Sequence, residues 1–236
     1  MTVLPDLILP SRIDQFWEYS GLDSIDWCKD KEHFRNFPYT ISYKYNSRGF
    51  RDNEWPSNIN ELSNSIWCLG DSFTVGLGSC IEHTWPRVLE DKIDTSTINV
   101  SLDGASNQWI SRRACDIIQT IRPKNMIILW SYLHRREHTD STLDDEARRI
   151  MTRNTTDYED IDNLYYCINS VAEFSHITNL VHATIPFATL TDPLTEISGI
   201  SSYIGEVPQL DFGRDGFHFD IDTSNWIAEK VKKLLI

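Results

Sequence analysis

The chain has an excess of acidic residues, few cysteines and no long apolar run. Lysine and arginine number 22 against 35 aspartates and glutamates, so the formal net charge is -13 at pH 7. Nucleic acids and anionic membranes select surfaces rich in lysine and arginine, and we therefore expect neither as a partner. No stretch approaches the roughly 20 apolar residues that a membrane span requires.

The cysteines are odd in number and widely scattered. There are five, at positions 28, 68, 80, 115 and 167, and none belongs to a C-x-x-C pair. Neither a zinc ribbon nor a dithiol redox motif is therefore indicated. The N-terminus has no basic region followed by an apolar run, unlike a signal peptide. We expect a reduced, cytoplasmic protein that uses no metal and no cofactor.

The chain divides into two regions of different character. Residues 1–63 are rich in turn residues and lack clear periodicity, although 41–46 alternate like a short strand. Their eleven aromatic residues would be costly to leave in water. We therefore predict an N-terminal extension, 1–63, packed on a main domain, 64–236.

Apolar runs and amphipathic segments alternate along the main domain. This rhythm predicts an α/β fold with a parallel sheet covered by helices on both faces. In such sheets a ligand binds at the carboxyl ends of the strands. We predict strands at 65–70, 97–101, 125–130 and 180–185, and helices at 83–93 (N-capped by Thr84), 106–121, 158–177 and 222–235.

The most informative segment is Leu69–Gly76, where the first apolar run stops at Gly-Asp-Ser. A buried strand that ends in this way delivers the hydroxyl of Ser72 to the edge of the sheet. The hydroxyl requires a general base within reach and a third group that orients the base. His218 follows Asp215 by three residues on a glycine-bearing loop before the last helix, so Asp215 could hold one ring nitrogen while the other faces the serine.

The spacing Asp-x-x-His is weak by itself. A second copy runs from Asp30 to His33, upstream of the serine and without a strand end beside it. Position in the chain therefore favours Asp215 and His218. The simpler interpretations are a polar turn residue for Ser72 and a solvated or core histidine for His218.

Together these motifs resemble the SGNH (GDSL-type) hydrolase superfamily. Gly70–Phe73 lies near the start of the α/β domain and Asp215-x-x-His218 near its end. The resemblance implies a flavodoxin-like three-layer α/β/α sandwich with a central parallel sheet. It also implies Ser72 as nucleophile, His218 as base and Asp215 as its orienting partner, with an acyl-enzyme released to water or another acceptor.

The resemblance further implies an oxyanion hole built from two blocks. Gly104, after the second strand, fits the first block, so that its backbone N–H would act with that of Ser72. The second block, Gly-x-Asn-Asp, is missing, because residues 130–137 contain no asparagine. Asn107 and His134 are the candidate replacements, and Asn107 is equally interpreted as a helix N-terminal residue.

His134–His138 also matches H-x-x-E-H, the inverted zinc-peptidase signature. On a helix the two histidines would share a face and could hold zinc, with Glu137 as base. Arg135 and Arg136 would oppose a cation, so a charged loop at the rim of the site is favoured. There the arginines could instead hold an anionic substrate group.

Three functions remain open. The first is a serine esterase acting on a small-molecule or carbohydrate O-acyl ester, and the second is an acyltransferase with the same three residues. The third is a weakly active or non-catalytic binding module, which the missing asparagine favours. Residues 139–157 and 187–212 are expected to shape the pocket, as long loops after strand ends commonly do.

Overall fold

The computed structural model describes residues 7–140, 142–152, 155–186 and 202–235. Within them the helices are α1 Ile25–Cys28, α2 Glu32–Arg35, α3 Ile59–Asn64, α4 Ser72–Val75, α5 Trp85–Ile93, α6 Asn107–Ile121, α7 Asp145–Arg148, α8 Asp157–Ala172 and α9 Ile221–Leu235. The strands are β1 Phe16–Trp17, β2 Tyr43–Lys44, β3 Ile66–Gly70, β4 Thr97–Ser101, β5 Asn125–Trp130, β6 Arg135–Arg136, β7 Met151–Thr152, β8 Asn179–Thr184 and β9 Tyr203–Glu206.

A five-stranded sheet with the order β4-β3-β5-β8-β9 forms the centre, and every neighbouring pair is parallel. β3 is buried along its whole length, as expected for a strand covered on both faces. Helix α5 packs against α9, and α6 packs against α8. Right-handed crossovers from β3 to β4 and from β4 to β5 place these helix pairs on opposite faces. The predicted three-layer α/β/α sandwich is confirmed.

The chain leaves β3 toward one edge of the sheet and leaves β5 toward the other. In a doubly wound sheet such neighbouring strands open a crevice at their carboxyl ends, where ligands bind. Ser72 follows β3 directly, and residues 131–135 follow β5. The fold therefore brings these two segments to the same crevice.

The predicted elements of the main domain are present with shifts at their ends. The helix predicted over 158–177 ends at Ala172, after which the backbone continues in tight turns such as the bond from Phe174 N–H to Val171 O. Thr84 precedes α5, but it does not cap this helix through its side chain. Its hydroxyl donates to the carbonyl of Ile81 at 2.7 Å, because a turn of 3-10 helix places that acceptor close by.

Two sequence predictions require correction in their extent. Only Tyr43–Lys44 of the segment 41–46 forms a strand, paired antiparallel with β1. Part of the segment 187–212, predicted as loop, is strand β9, a short and half-exposed edge with a glycine at its centre. Residues 187–201 of that segment lie outside the described residues.

The N-terminal extension contacts the main domain through buried side chains. Leu9 and Phe50 belong to the same apolar cluster as the central sheet. Arg51 is buried and donates to the carbonyl oxygens of Val75 and Ser79, at 3.1 and 2.7 Å, in the segment that follows Ser72. No helix of the described residues is long and apolar enough to cross a membrane.

Candidate active site

Ser72 stands where β3 ends and α4 begins. Strand β3 ends at Gly70. Thr74 packs closely on this residue, because a Cβ at position 70 would lie 2.1 Å from the hydroxyl oxygen of Thr74. The Asp71 side chain then accepts the N–H of Phe73 at 3.1 Å and so caps the helical turn. Strand end and cap together hold the Ser72 side chain at the carboxyl end of the sheet.

His218 lies between Ser72 and Asp215, as the sequence predicted. Its Nε2 atom is 2.8 Å from Ser72 Oγ, and its Nδ1 atom is 2.5 Å from Asp215 Oδ2. The other oxygen of Asp215 accepts the backbone N–H groups of Phe217 and His218 at 2.9 and 3.0 Å. The loop thus folds back on its own carboxylate, which orients the imidazole toward the serine.

The environment of Asp215 favours its charged form. Burial raises the pKa of this carboxyl, but the hydrogen bond to His218, the charge of His218 and the backbone N–H groups outweigh burial and lower the pKa below its usual value. A carboxylate that stays ionised can hold Nδ1 of His218 protonated and can stabilise an imidazolium ring.

Close backbone contacts join this loop to the segment after α4. The N–H of Arg214 donates to the carbonyl of Gly78 at 2.6 Å. A Cβ on Gly78, which has φ +76°, would lie 2.9 Å from Asp215 Oδ1, and one on Gly213 would lie 2.7 Å from the Gly78 carbonyl oxygen. Glycine at both positions allows the two loops to touch.

The second Asp-x-x-His copy packs against the first. Lys31 donates from Nζ to the carbonyl of Asp215 at 2.9 Å, and His33 Nε2 lies 2.8 Å from the carbonyl oxygen of Gly213. The segment that sequence reasoning treated only as a competitor therefore supports the loop of Asp215. No local sequence pattern could have indicated this support, because Lys31 and Asp215 are 184 positions apart in the chain.

Gly104 lies in the loop after β4 with φ +74°. Within the described residues, neither its backbone N–H nor that of Ser72 donates to a protein acceptor. A Cβ on Gly104 would have Arg149 Nε and Ile150 as its nearest neighbours, at 3.6 and 3.8 Å. The predicted pocket segment 139–157 thus borders Gly104, whose role as an oxyanion donor stays a prediction.

Asn107, the other predicted oxyanion donor, is the first residue of α6. Its side chain is fully buried, donates to the carbonyl of Ser131 at 3.0 Å and accepts the Ser131 N–H at 2.7 Å. An amide paired in this way joins the start of α6 to the end of β5. This position fits the alternative interpretation as a helix N-terminal residue, and the role of Asn107 as an oxyanion donor stays a prediction.

Polar side chains join the segment after β5 to Asp71, the residue that precedes Ser72. Ser131 donates from Oγ to Asp71 Oδ2 at 2.6 Å. Arg135 donates from Nη1 to the same carboxylate oxygen and to Ser131 Oγ, both at 2.9 Å. Its guanidinium carbon lies 4.7 Å from the centre of the Tyr132 ring. Sequence reasoning named Arg135 at the rim of the site but could not predict its pairing with Asp71.

The helix required by the zinc-peptidase signature is not formed. Arg135–Arg136 is a two-residue strand paired with β7, and Glu137 pairs with Arg112 and Arg148. No cluster of three or more potential metal ligands occurs in the described part of the chain. Arg136 is buried and paired with Asp160 at 2.5 Å, so it is not placed to hold a substrate anion.

The exposed ring of His134, the second candidate for the missing amide donor, makes no hydrogen bond within the described residues and packs 5.9 Å from the Tyr132 ring. It therefore lies on the outer side of the segment that follows β5.

No protein-family model matches this sequence, and no curated protein does either. Solved structures resemble it at low identity. A family two carbohydrate esterase from Clostridium thermocellum, solved in complex with cellohexaose, has a TM-score of 0.50 at 15% identity over 72% of this chain and 62% of its own. Another structure, of a carbohydrate esterase with catalytic and non-catalytic binding functions, has a TM-score of 0.51 at 10% identity over 73% of this chain and 68% of its own.

A G-D-S-L family protein from Desulfitobacterium hafniense, described as lipolytic, has a TM-score of 0.49 at 14% identity, over 72% of this chain and 99% of its own. The likeness to the two carbohydrate esterases is one of fold. It supports the predicted three-layer architecture, and membership of the SGNH hydrolase superfamily stays a prediction from the motifs.

Proposed function

We propose that the protein is a serine esterase of the SGNH hydrolase type that cleaves an O-acyl ester. The observation that carries this proposal is the chain of hydrogen bonds from Asp215 through His218 to Ser72, of 2.5 and 2.8 Å. Nucleophile, base and orienting carboxylate in this order are the minimum for acyl transfer through a serine. The fold shared with carbohydrate esterases supports the same chemistry.

Acylation begins when Ser72 Oγ attacks the ester carbonyl carbon. A bond forms between Oγ and this carbon, the carbonyl π electrons move to oxygen, and the hydroxyl proton passes to His218 Nε2. Asp215 holds Nδ1 and stabilises the imidazolium. The tetrahedral intermediate then collapses, and the leaving alkoxide takes the proton from Nε2.

Deacylation repeats these steps with water. The water oxygen attacks the acyl carbon while His218 Nε2 takes a proton from that water. The tetrahedral intermediate then expels Ser72 Oγ, which takes the proton back from His218 Nε2. Free acid and free serine result. If a sugar hydroxyl takes the place of water, the same steps transfer the acyl group instead.

A carbohydrate ester is the substrate class that we favour. One of the similar structures is a carbohydrate esterase with bound cellohexaose. In this chain Phe217 precedes the proposed base and is 40% exposed, with its ring 5.8 Å from that of Phe73. An exposed aromatic ring at the mouth of a site suits stacking against a sugar ring.

Labelling with a fluorophosphonate tests the nucleophile. We expect covalent modification of the intact protein at Ser72 and none in Ser72→Ala. Ser63→Ala is the matched control, because Ser63 is a half-buried α3 residue bonded to the Arg122 carbonyl. Absence of label in the intact protein would contradict the proposal and favour a binding module, and equal label in Ser72→Ala would show that Ser72 is not the nucleophile.

Partition of an acetyl group separates hydrolase from transferase. With p-nitrophenyl acetate as donor, an esterase releases acetate whether or not cello-oligosaccharides are present. Acetylated sugar as the main product, measured by mass spectrometry, would assign the acyltransferase alternative.

A further inference from the structure

The crevice between β3 and β5 has the nucleophile on one side and an arginine on the other. Ser72 follows β3, and Gly104 follows the neighbouring strand β4. Residues 131–135 follow β5, where the resemblance places an asparagine that this chain lacks. Arg135 is the side chain by which this segment contacts the residue that precedes the nucleophile.

Arg135 is held in a defined orientation. Its Nη1 atom donates to Asp71 Oδ2 and to Ser131 Oγ, and its guanidinium group packs over the Tyr132 ring. Tyr132 in turn packs 6.2 Å from the ring of Phe73, the residue after the nucleophile. One edge and one face of the guanidinium are therefore fixed by neighbours of Ser72.

The remaining donors of Arg135 are not used within the described residues. An arginine has five N–H donors, and only Nη1 has acceptors here. The side chain is 16% exposed, whereas its acceptor Asp71 is completely buried. The Nε and Nη2 groups are thus available to a molecule in the crevice, while the neighbouring Arg136 is paired with Asp160.

We propose that Arg135 is the side-chain oxyanion donor of this site, in the place of the missing asparagine. This inference rests on the proposed function. As Ser72 Oγ bonds to the carbonyl carbon, negative charge develops on the carbonyl oxygen. An N–H of Arg135 donates to that oxygen together with the backbone N–H groups of Ser72 and Gly104, and the proton stays on Arg135.

A second role must be separated from this one, because Arg135 is also the counterion of Asp71. Removing it alone leaves a buried carboxylate unpaired, which is strongly destabilising. The decisive comparison therefore uses Asp71→Asn as the reference. Asparagine keeps a side-chain oxygen to accept the Phe73 N–H, and it needs no counterion. In this background Arg135 keeps its bond to Ser131 Oγ and its contact with the Tyr132 ring, which hold the guanidinium in place.

The experiment compares Asp71→Asn with Asp71→Asn/Arg135→Met in steady-state hydrolysis of p-nitrophenyl acetate. We expect the second change to lower kcat by about 100- to 1000-fold with a smaller effect on KM, as for other oxyanion donors. Asp71→Asn/Arg135→Gln keeps a shorter N–H donor and should lose less. Thermal unfolding verifies that each variant is folded.

If kcat is the same with and without Arg135 in the Asp71→Asn background, Arg135 is only a counterion and the inference is wrong. That result leaves the nucleophile untouched, since fluorophosphonate labelling of Ser72 in the intact protein is measured separately. Failure of the intact protein to label would instead overturn the proposed function, and this inference with it.

Discussion

Two glycines set how closely the loop of Asp215 approaches the segment that follows Ser72 and α4. Gly213 and Gly78 touch through backbone atoms, and Gly78 also faces the Asp215 carboxylate. At Gly78 the positive φ and the lack of space both require glycine. The geometry of the proposed catalytic residues therefore depends on a position that carries no functional group.

Gly78→Ala should move Asp215 away from His218. A Cβ 2.9 Å from Oδ1 must displace the carboxylate, and displacements near 1 Å can cost about 100-fold in rate. We expect ester turnover to fall at least about tenfold. Gly205→Ala is the control, because Gly205 also has positive φ but no atom within 4 Å of a Cβ. Equal turnover in the two variants would show that backbone strain alone matters.

For individual residues, the sequence predicts a position correctly when neighbouring residues in the chain determine it. Ser72 could be predicted because a strand end precedes it, and Asp215 with His218 because their spacing closes a loop. Asn107 and Arg135 depend on which atoms of Ser131 and Asp71 lie opposite them. Those pairings arise only after the strands are assembled, so the residue pattern does not contain them.

Among the elements, strand β8 carries a buried histidine that has no charged partner within the part of the chain that the structure describes. His182 accepts the indole N–H of Trp130 at 3.3 Å, and the two rings stack with centres 5.9 Å apart. Burial lowers the pKa of His182 from 6.5 to about 4. The native sheet therefore holds this ring neutral at pH values where the unfolded chain would protonate it.

This difference predicts acid destabilisation between about pH 6.5 and 4. The contribution of neutral His182 to the free energy of unfolding is complete above pH 6.5. It is lost as the pH falls toward 4, because the unfolded chain binds a proton at a higher pH than the folded chain does. The whole shift corresponds to about 3 kcal/mol of unfolding free energy.

Denaturant unfolding from pH 7.5 to 4 measures this loss. His182→Leu should show a flatter pH dependence than the intact protein, whereas His176→Gln, at an exposed turn, should not. An unchanged slope in His182→Leu would assign the acid sensitivity to other groups.

Long periodic elements were predicted well, and short ones were not. Helix α6 and strand β5 have apolar patterns that extend over their whole length. Strand β9 has four half-exposed residues, and its pairing with β8 decides its conformation. The predicted cap Thr84 failed for a local reason, because the preceding turn of 3-10 helix offers its hydroxyl the Ile81 carbonyl as acceptor.

In the molecule as a whole, the N-terminal extension supports the C-terminal loop through a buried ion pair. Asp23 is completely buried, accepts the hydroxyl hydrogen of Tyr43 at 2.6 Å and pairs with Arg214 at 2.6 Å. The Tyr43 oxygen also accepts the N–H of Gly78 at 2.8 Å. One network thus joins the extension to both loops that meet at the proposed catalytic carboxylate.

Arg214→Met should destabilise the protein and impair turnover together. Loss of one partner leaves the Asp23 carboxylate buried and unpaired, which costs about 3–5 kcal/mol. Lys92→Met is the matched control, because the pair of Lys92 with Glu229 is much more exposed and should contribute much less to stability. Urea unfolding measures the stability of both variants, and ester hydrolysis measures their turnover. Similar losses would mean that the Asp23 pair is no stronger than a surface pair.

The division at residue 63 follows composition and stays a prediction. What composition could not indicate is how the two regions depend on each other, because their contacts join distant positions. Arg214 and Asp23 are 191 residues apart, and His33 and Gly213 are 180 apart. Aromatic content predicted that the extension packs on the core without indicating where.

These long separations have a consequence for synthesis on the ribosome. The extension emerges first, yet its partners Gly213 and Arg214 emerge only after some 180 further residues. Asp23 and Lys31 therefore stay solvated while the central strands form, because local contacts form faster than distant ones. Ser72, the proposed nucleophile, is already synthesised by then, but His218, the proposed base, is not. We therefore expect a growing chain to have no esterase activity until the loop of Asp215 and His218 packs against the N-terminal extension.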